Sequence, residues 1–300
     1  MTEDVAKIRT NLQPAEINPW YRANARELPW RAPGTSAWGV LLSEVMSHQT
    51  QVARVAPIWE EWMRRWPTPE AFAAAGAGEV LRAWGSLGYP RRALRLLECA
   101  RVITELHDGH VPRSVEELLA LPGIGDYTAR AVACFAYGEN VPVVDTNVRR
   151  VVARAERGRP VAHPRKAELQ EVAALLPDDG SEWDGPTFSV GLMELGALVC
   201  TATNPDCGAC PVSRCAWVAA GKPEPNPEEQ RKKKTQRFAG TDRQVRGKIM
   251  QVLRGASAPV PQRDIDVVWP DAAQRSRALF SLLEDGLAVQ DDAGYFHLPR

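Results

Sequence analysis

Four cysteines, Cys200, Cys207, Cys210 and Cys215, fall within sixteen residues in the spacing C-x6-C-x2-C-x4-C. Thiolates this close in sequence can wrap one centre, and whatever they wrap fixes the backbone around it. Thiolate serves tetrahedral zinc and an iron–sulfur cubane alike. A zinc ribbon, however, draws its ligands from two C-x2-C knuckles on separate hairpins. Here one knuckle stands with a cysteine well before it and another after it, an asymmetry that favours a [4Fe–4S] cluster. Disulfides are disfavoured. Met1 to Gln13 lacks the apolar core of a signal peptide, and no apolar run nears the roughly 20 residues of a membrane span. The expectation is a cytoplasmic, reducing setting with no membrane partner. Cys99 and Cys134 lie in apolar helical patterns and read as small core residues.

Helical signals dominate the rest, and the chain reads as all-α. "TPEAFAAAGAGEVLRAW" opens with Thr68 as N-cap and Pro69 at the first helical position. "PRRALRLLECARVITEL" repeats apolar residues at helical spacing, and "SVEELLAL" sets Ser114 and Glu117 in capping-box register. Val141 to Val144 is short and valine-rich, readable as a strand or as something else. "GKPEPNPEEQRKKKTQ" is a linker of proline and charge. It divides the chain into a main domain over 1–220 (cysteine loop at 200–215), a linker over 221–240, and a small α+β module over 241–300. The last segment reads helix, short helix, helix, then a hairpin around Asp291 to Gly294, an order compatible with a winged helix. The 300 residues carry a formal net charge of zero. An anionic partner would therefore meet local patches: Arg91, Arg92 and Arg95; Arg149, Arg150 and Arg154; Arg231 to Lys234. Each patch alone reads first as a solvated face.

Leu121-Pro122-Gly123-Ile124-Gly125 sits between two helical patterns. Glycines let such a turn bring its N–H groups close to another backbone, and the next helix adds its positive end, so a phosphate fits. An ordinary helical corner reads the same way. Asp145 follows Val141-Pro142-Val143-Val144 and precedes "TNVRRVVARA", where it suits an N-cap and a catalytic carboxylate together. Upstream, Trp38, Leu41, Leu42, Val45 and Met46 form a helical apolar stripe. Glu44 lies roughly 100–120° from the centre of that stripe. A margin position half-buries a carboxyl and raises its pKa, as a general acid near neutral pH requires; a plain surface glutamate is the simpler alternative. One protonated and one ionised carboxyl suit cleavage of a glycosidic bond.

Taken in order, "LPWR", "LSEVM..QTQV", "LPGIGDYTARAV", "VVDTNVRRV", "LMELGALVC" and the cysteine cluster resemble the helix-hairpin-helix DNA glycosylases, and most closely the MutY-type adenine DNA glycosylases. The resemblance covers about Trp20 to Trp217. It implies a two-lobed helical fold that binds double-stranded DNA as a monomer and flips out an adenine mispaired with 8-oxoguanine or guanine. It implies that Glu44 protonates the departing adenine and that Asp145 stabilises the sugar cation, with Tyr127 and Asn147 lining the sugar. Tyr127 stands where related endonuclease III enzymes carry a Schiff-base lysine, which implies a monofunctional enzyme. Gln49 matches a residue that wedges into the duplex, and the four cysteines match the cluster ligands. Gly123 and Gly125 shape the phosphate-holding hairpin. Arg31, His48, Arg149 and Arg150 are further expected DNA contacts.

Four departures from the pattern stand out. Ser47-His48 replaces the usual Leu-Gln beside Glu44, and if that helix continues His48 shares a face with Glu44. Pro90, after Gly88-Tyr89, replaces an aromatic inserted near the lesion. The last cysteine loop is one residue short. About sixty C-terminal residues are too few for the Nudix-like domain that reads 8-oxoguanine in many relatives. Two rival readings follow: a glycosylase of the same fold for thymine or uracil opposite guanine, and a non-catalytic iron–sulfur DNA-binding regulator.

Overall fold

The computed structural model describes residues 10–162, 166–226 and 238–300. Arg231 to Lys234 and the centre of the expected linker lie outside the described residues. The chain forms two compact units, residues 1–35, 113–115 and 125–233 in the first and residues 36–112, 116–124 and 234–300 in the second.

The second unit is built on indoles. Its helices are α2 (Ala37–Ser47), α3 (Val52–Arg65), α4 (Pro69–Ala73), α5 (Ala77–Trp84) and α6 (Arg91–Leu106), numbered after α1 (Pro14–Asn24) of the first unit. Trp38, Trp62, Trp66, Trp84 and Phe72 meet with ring centroids 5.1–5.7 Å apart, mostly tilted or edge-on as aromatic quadrupoles prefer. A buried indole also has an N–H to satisfy. Trp38 Nε1 donates to the carbonyl of Trp66 at 3.1 Å, Trp59 Nε1 to Gly39 at 2.7 Å and Trp84 Nε1 to Gly88 at 2.9 Å. Thr68 caps α4 through Ala71 N–H, as its sequence position suggests, but the apolar run then breaks, and Gly76 caps α5. Cys99 is buried in α6, where burial pushes its thiol up to about 12.

The first unit comprises α1, α8 (Asp126–Tyr137), α9 (Thr146–Ala155), α10 (Glu168–Ala173), α11 (Gly185–Leu198) and α12 (Ala216–Ala219), while α7 (Val115–Ala120) precedes the glycine turn. Leu12, Ile17, Val148, Val151, Val152, Phe188, Leu192 and Leu195 make its core, with Cys200, Cys210 and Cys215 packed on the edge. Cys134 is buried between Ala131 and Val143. Residues 141–144 form no strand. They run as an irregular segment into the cap of α9, because no neighbouring strand offers them a ladder.

After residue 238 come α13 (Asp242–Gly255), α14 (Gln262–Asp266), α15 (Ala272–Glu284) and two short strands, β1 (Val289–Gln290) and β2 (Phe296–His297), paired antiparallel. Val260 bridges to Phe296 and adds a third edge. The order helix, edge, helix, helix, hairpin is that of a winged helix.

Candidate active site

Asp145 ends an extended segment and caps α9. Its Oδ1 accepts Val148 N–H at 2.7 Å, and its Oδ2 accepts the Asn147 side-chain amide at 2.8 Å. Burial raises its pKa above the usual carboxylate range, against the lowering pull of those bonds and of Arg150. The apolar face of α9 is Val148, Val151, Val152 and Ala155. Its other face carries Asn147, Arg150 and Arg154 at i, i+3 and i+7, one stripe down the helix.

That stripe joins Asp145 to the cysteine loop. The Arg150 guanidinium donates to Asn147 Oδ1 at 2.7 Å, to Gly196 O at 2.6 Å and to Cys200 O at 2.7 Å. One turn on, Arg154 is only 5% exposed. It donates to Cys200 Sγ at 3.4 Å and to the carbonyls of Thr201 and Ala202, and it lies over the Trp217 ring at 4.9 Å. Gly196 makes the approach of α11 to this stripe feasible. A Cβ there would stand 2.7 Å from Asn147 Cβ and 2.9 Å from Asn147 O.

Cys200, Cys207, Cys210 and Cys215 are all free thiols, and together they line a cavity of 580 Å³. Among the described residues no three His, Cys, Asp or Glu side chains converge as ligands of a single ion. Four sulfurs around a roomy cavity suit a polynuclear group better than one metal. Burial pushes the Cys210 thiol up to about 11 and raises that of Cys200, so loading a thiolate-bound group displaces protons. Arg154, a buried cation with an N–H on sulfur, complements the negative charge of such a group.

The second unit carries Glu44, Gln49, His48 and Gly123; the first carries Asp145, Asn147, Tyr127, Gly125, Arg149, Arg150 and the cysteines. Glu44 is half-buried on α2, at the margin of the buried stripe Trp38–Ser43 and Met46, as its spacing suggests. The helix stops at Ser47, so the condition under which His48 would share its face fails; His48 is the exposed C-cap. Gln49 is exposed at φ +59°, a left-handed conformation that costs a residue with a side chain. Gly123 has φ +78°, and a Cβ there would lie 2.9 Å from Arg95 Cβ, so the turn needs glycine for conformation and space. Gly125 differs: its Cβ would meet nothing within 4 Å, leaving the start of α8 open. Tyr127 packs half-buried against Ala131 and Val143.

Three expected DNA contacts have other partners. Arg31 and Arg26 both donate to Glu194, which is completely buried; the Arg31 contact is 2.9 Å. Burial alone would raise the Glu194 pKa, but the hydrogen bonds from Arg26 and Arg31 override it and hold the carboxyl at about 2. Arg149 pairs with Glu168 through two 2.6 Å contacts, and Arg150 is engaged as described. A guanidinium this well matched by internal acceptors gains little from a phosphate. In the Arg91–Arg95 cluster, Arg91 pairs with Asp285 and Arg95 with Glu98, both on the surface. Glu194 is not marked by sequence, although it is the lone charge of the apolar helix α11; Arg154, read from sequence only as part of a basic patch, belongs to the polar i, i+3, i+7 stripe of α9.

The family described as HhH-GPD superfamily base excision DNA repair protein matches residues 42–175, a stretch spanning Glu44, the glycine turn and Asp145. The iron-sulfur binding domain of endonuclease III matches residues 200–214. A thermostable thymine-DNA glycosylase structure superimposes with a TM-score of 0.62 at 27% identity, covering 69% of this chain and 95% of that one. Fold and motif thus define a helix-hairpin-helix base-excision repair protein. Proteins named adenine DNA glycosylase are more similar. That of Mycolicibacterium smegmatis is 58% identical over 96% of both chains, and that of Mycobacterium tuberculosis is 55% identical over 93% of this chain and 91% of its own. The chain belongs to the adenine DNA glycosylase family.

Proposed function

We propose that this protein is a monofunctional DNA glycosylase of base excision repair that hydrolyses the N-glycosidic bond of adenine mispaired with 8-oxoguanine or guanine. The observation that carries the reading is the near full-length identity with adenine DNA glycosylases, joined to a half-buried Asp145 with both oxygens held. In this reading Glu44 gives its proton to the departing adenine and then takes one from the water that bonds to the sugar carbon. Asp145 stays ionised and opposes the oxocarbenium charge between those events. Asn147 holds the carboxylate in orientation, and Tyr127 lines the sugar without supplying the amine that strand cleavage needs. Gly123 turns the hairpin, Gly125 leaves room for a phosphate at the start of α8, and Gln49 is presented to the duplex. Cys200, Cys207, Cys210 and Cys215 would hold a [4Fe–4S] cluster. Hydrolysis transfers no electron, so the cluster's contribution is to keep the 200–215 loop, and through Arg150 the α9 stripe, in shape. The protein acts as a monomer on double-stranded DNA in the cytoplasm, at the nucleoid in a bacterium.

The test is single-turnover base release, with alkali to reveal abasic sites, on duplexes carrying A, T or U opposite G and A opposite 8-oxoguanine or C. Adenine release, fastest opposite 8-oxoguanine, is the expected result, and Glu44→Gln should abolish it while duplex affinity stays within about threefold. Equal loss of binding would make Glu44 structural. Pyrimidine release would favour the rival that Ser47-His48 and the likeness to a thymine-DNA glycosylase motivate.

A further inference from the structure

Of the arginines that open α6, Arg91 and Arg95 pair with carboxylates on the surface, but Arg92 turns inward onto neutral acceptors. Its guanidinium donates to Val45 O at 2.8 Å and His48 O at 2.5 Å, with a longer approach to Met46 O at 3.4 Å. Val45 and Met46 lie in the last turn of α2, where carbonyls have no partner within the helix and a cation meets the negative pole. The same guanidinium reaches Thr50 Oγ1 and Gly88 O, each at 3.2 Å, and lies over the Trp84 ring at 5.2 Å. One side chain thus touches the end of the helix that carries Glu44, the turn that carries Gln49, and the segment between α5 and α6.

The Gln49 turn needs such a restraint. Thr50 N–H bonds Ser47 O at 3.0 Å, His48 has φ −59° and ψ 108°, and Gln49 has φ +59°. This is the pattern of a type II turn, which prefers glycine or asparagine where Gln49 stands. A left-handed residue with a side chain persists only where the surroundings over-determine it. Gln49 is exposed, so the restraint falls to its neighbours, and both His48 O and Thr50 Oγ1 are held by Arg92.

The segment between α5 and α6 is the anchor. Gly85, Gly88 and Tyr89 have φ of +54°, +84° and +48°, and every carbonyl from Gly85 to Gly88 accepts a side-chain donor. Arg254 of the C-terminal module donates to Gly85 O at 2.5 Å and Arg54 of α3 donates to Ser86 O. Thr50 Oγ1 donates to Leu87 O at 3.3 Å, and Trp84 Nε1 donates to Gly88 O at 2.9 Å beside Arg92. From the module, Asp285 also pairs with Arg91 at 3.2 Å and Arg243 reaches the Tyr89 hydroxyl at 3.4 Å. A segment tethered at each carbonyl is fixed, and Thr50 and Arg92 are the groups that tie the Gln49 turn to it.

We infer that Arg92 is a positioning residue for base release: it locks the Ser47–Thr50 turn, and with it Gln49 and the end of α2, to the anchored segment between α5 and α6, without itself touching DNA. The inference rests on the proposed glycosylase reading for the rates it invokes. The test is a double-mutant cycle of Arg92→Ala and Gln49→Ala in the full-length, cluster-loaded protein. Single-turnover adenine release from an A·8-oxoguanine duplex, at saturating enzyme, should fall roughly 10- to 100-fold in Arg92→Ala. Because Arg92 acts through the Gln49 turn, the double variant should lie within about twofold of the slower single variant. The salt dependence of duplex affinity should not change, since a guanidinium filled by internal acceptors displaces no counterion from DNA. In the free protein, hydrogen exchange at the Thr50 amide should rise at least about tenfold, the worth of one hydrogen bond. The Trp66 amide, bonded to Trp62 O at 2.6 Å, should stay protected. Losses of rate that multiply, an unmoved Thr50 amide, or a salt slope reduced by about one would each overturn the inference, the last by making Arg92 a phosphate contact. If Arg92→Ala does not fold, Arg92→Lys takes its place in the cycle. It keeps the charge at the end of α2 but not the planar fork, and it should show the same non-additive pattern with a smaller loss. A wild-type protein that releases no adenine would sink the glycosylase reading alone, because the exchange comparison needs no substrate.

Discussion

Gly196→Ala places one methyl group where α11 meets the Asp145 stripe. The new Cβ would lie 2.7 Å from Asn147 Cβ, 2.9 Å from its carbonyl oxygen and 3.0 Å from its carbonyl carbon. Comfortable carbon contacts are about 3.5–4.0 Å, so roughly 1 Å of overlap must be absorbed. Two of the three neighbours are backbone atoms at the start of α9, which move only with the helix. Overpacking of this kind costs about 1–3 kcal/mol, and replacing a helical glycine by alanine returns up to about 1 kcal/mol. The net loss is about 1–2 kcal/mol, or roughly 2–8 °C in thermal midpoint for a chain of this size. The displaced residue, however, is the one that orients Asp145 at 2.8 Å and receives Arg150 at 2.7 Å. A misplacement of about 1 Å in a reacting constellation can cost on the order of 10²-fold in rate. Adenine release under single turnover should therefore fall far more than stability does. Gly191→Ala is the control. Its Cβ would meet Ile17 Cγ2 at 2.7 Å, so it strains the same helix against a side chain of α1 rather than against the Asn147 backbone. Comparable losses of stability with unequal losses of rate are expected. If both variants keep wild-type rates, the packing of Gly196 on Asn147 has no bearing on the site.

Two further predictions concern titration. Asp145 has a folded pKa above its ordinary value of 3.8, raised first by burial. The folded state thus binds its proton more tightly than the unfolded chain, and the stability this confers is lost as pH rises from 3.8 through the folded pKa. Asp145→Asn keeps an N-cap oxygen for Val148 N–H and, in the proposed mechanism, should abolish excision. The stability of wild type relative to this variant should decline with rising pH across that window, measured by urea unfolding, and a pH-independent difference would contradict the burial argument. Glu194 has the opposite sign, since its folded pKa of about 2 lies below the ordinary 4.5. Its contribution is complete above 4.5 and lost as pH falls toward 2. Glu194→Gln should flatten acid unfolding in that interval, and at neutral pH it should cost about 3–5 kcal/mol because Arg26 and Arg31 lose their buried partner. An unchanged acid limb would show that the Glu194 cluster does not set acid stability.

Much of this protein is legible in its sequence because the signals are local. A helix cap, a 3.6-residue stripe and a glycine turn depend on neighbours a few positions away. Asp145 capping α9, Glu44 at the margin of α2, the buried Cys99 and Cys134 and the C-terminal helix–helix–hairpin order follow from such patterns. So does the cysteine spacing, since its ligands lie in one short loop. The destinations of the arginines were not legible. Arg31, Arg149 and Arg150 read from sequence as DNA contacts, whereas in the fold Arg31 serves a glutamate 163 residues away and Arg150 a carbonyl 50 residues away. A guanidinium looks the same in the sequence whether its acceptor is a phosphate, a buried carboxylate or a helix end, and the choice depends on which long-range acceptor the packing brings within 3 Å. The same holds for Tyr89 and the last sixty residues. The sequence determined that Tyr89 follows Gly88 and precedes Pro90, ahead of a helical pattern, and that a small module ends the chain; the left-handed φ of Tyr89 came from the fold. Only tertiary structure, by bringing Arg243, Arg254 and Asp285 onto the Tyr89 segment, decided that the two act on one another.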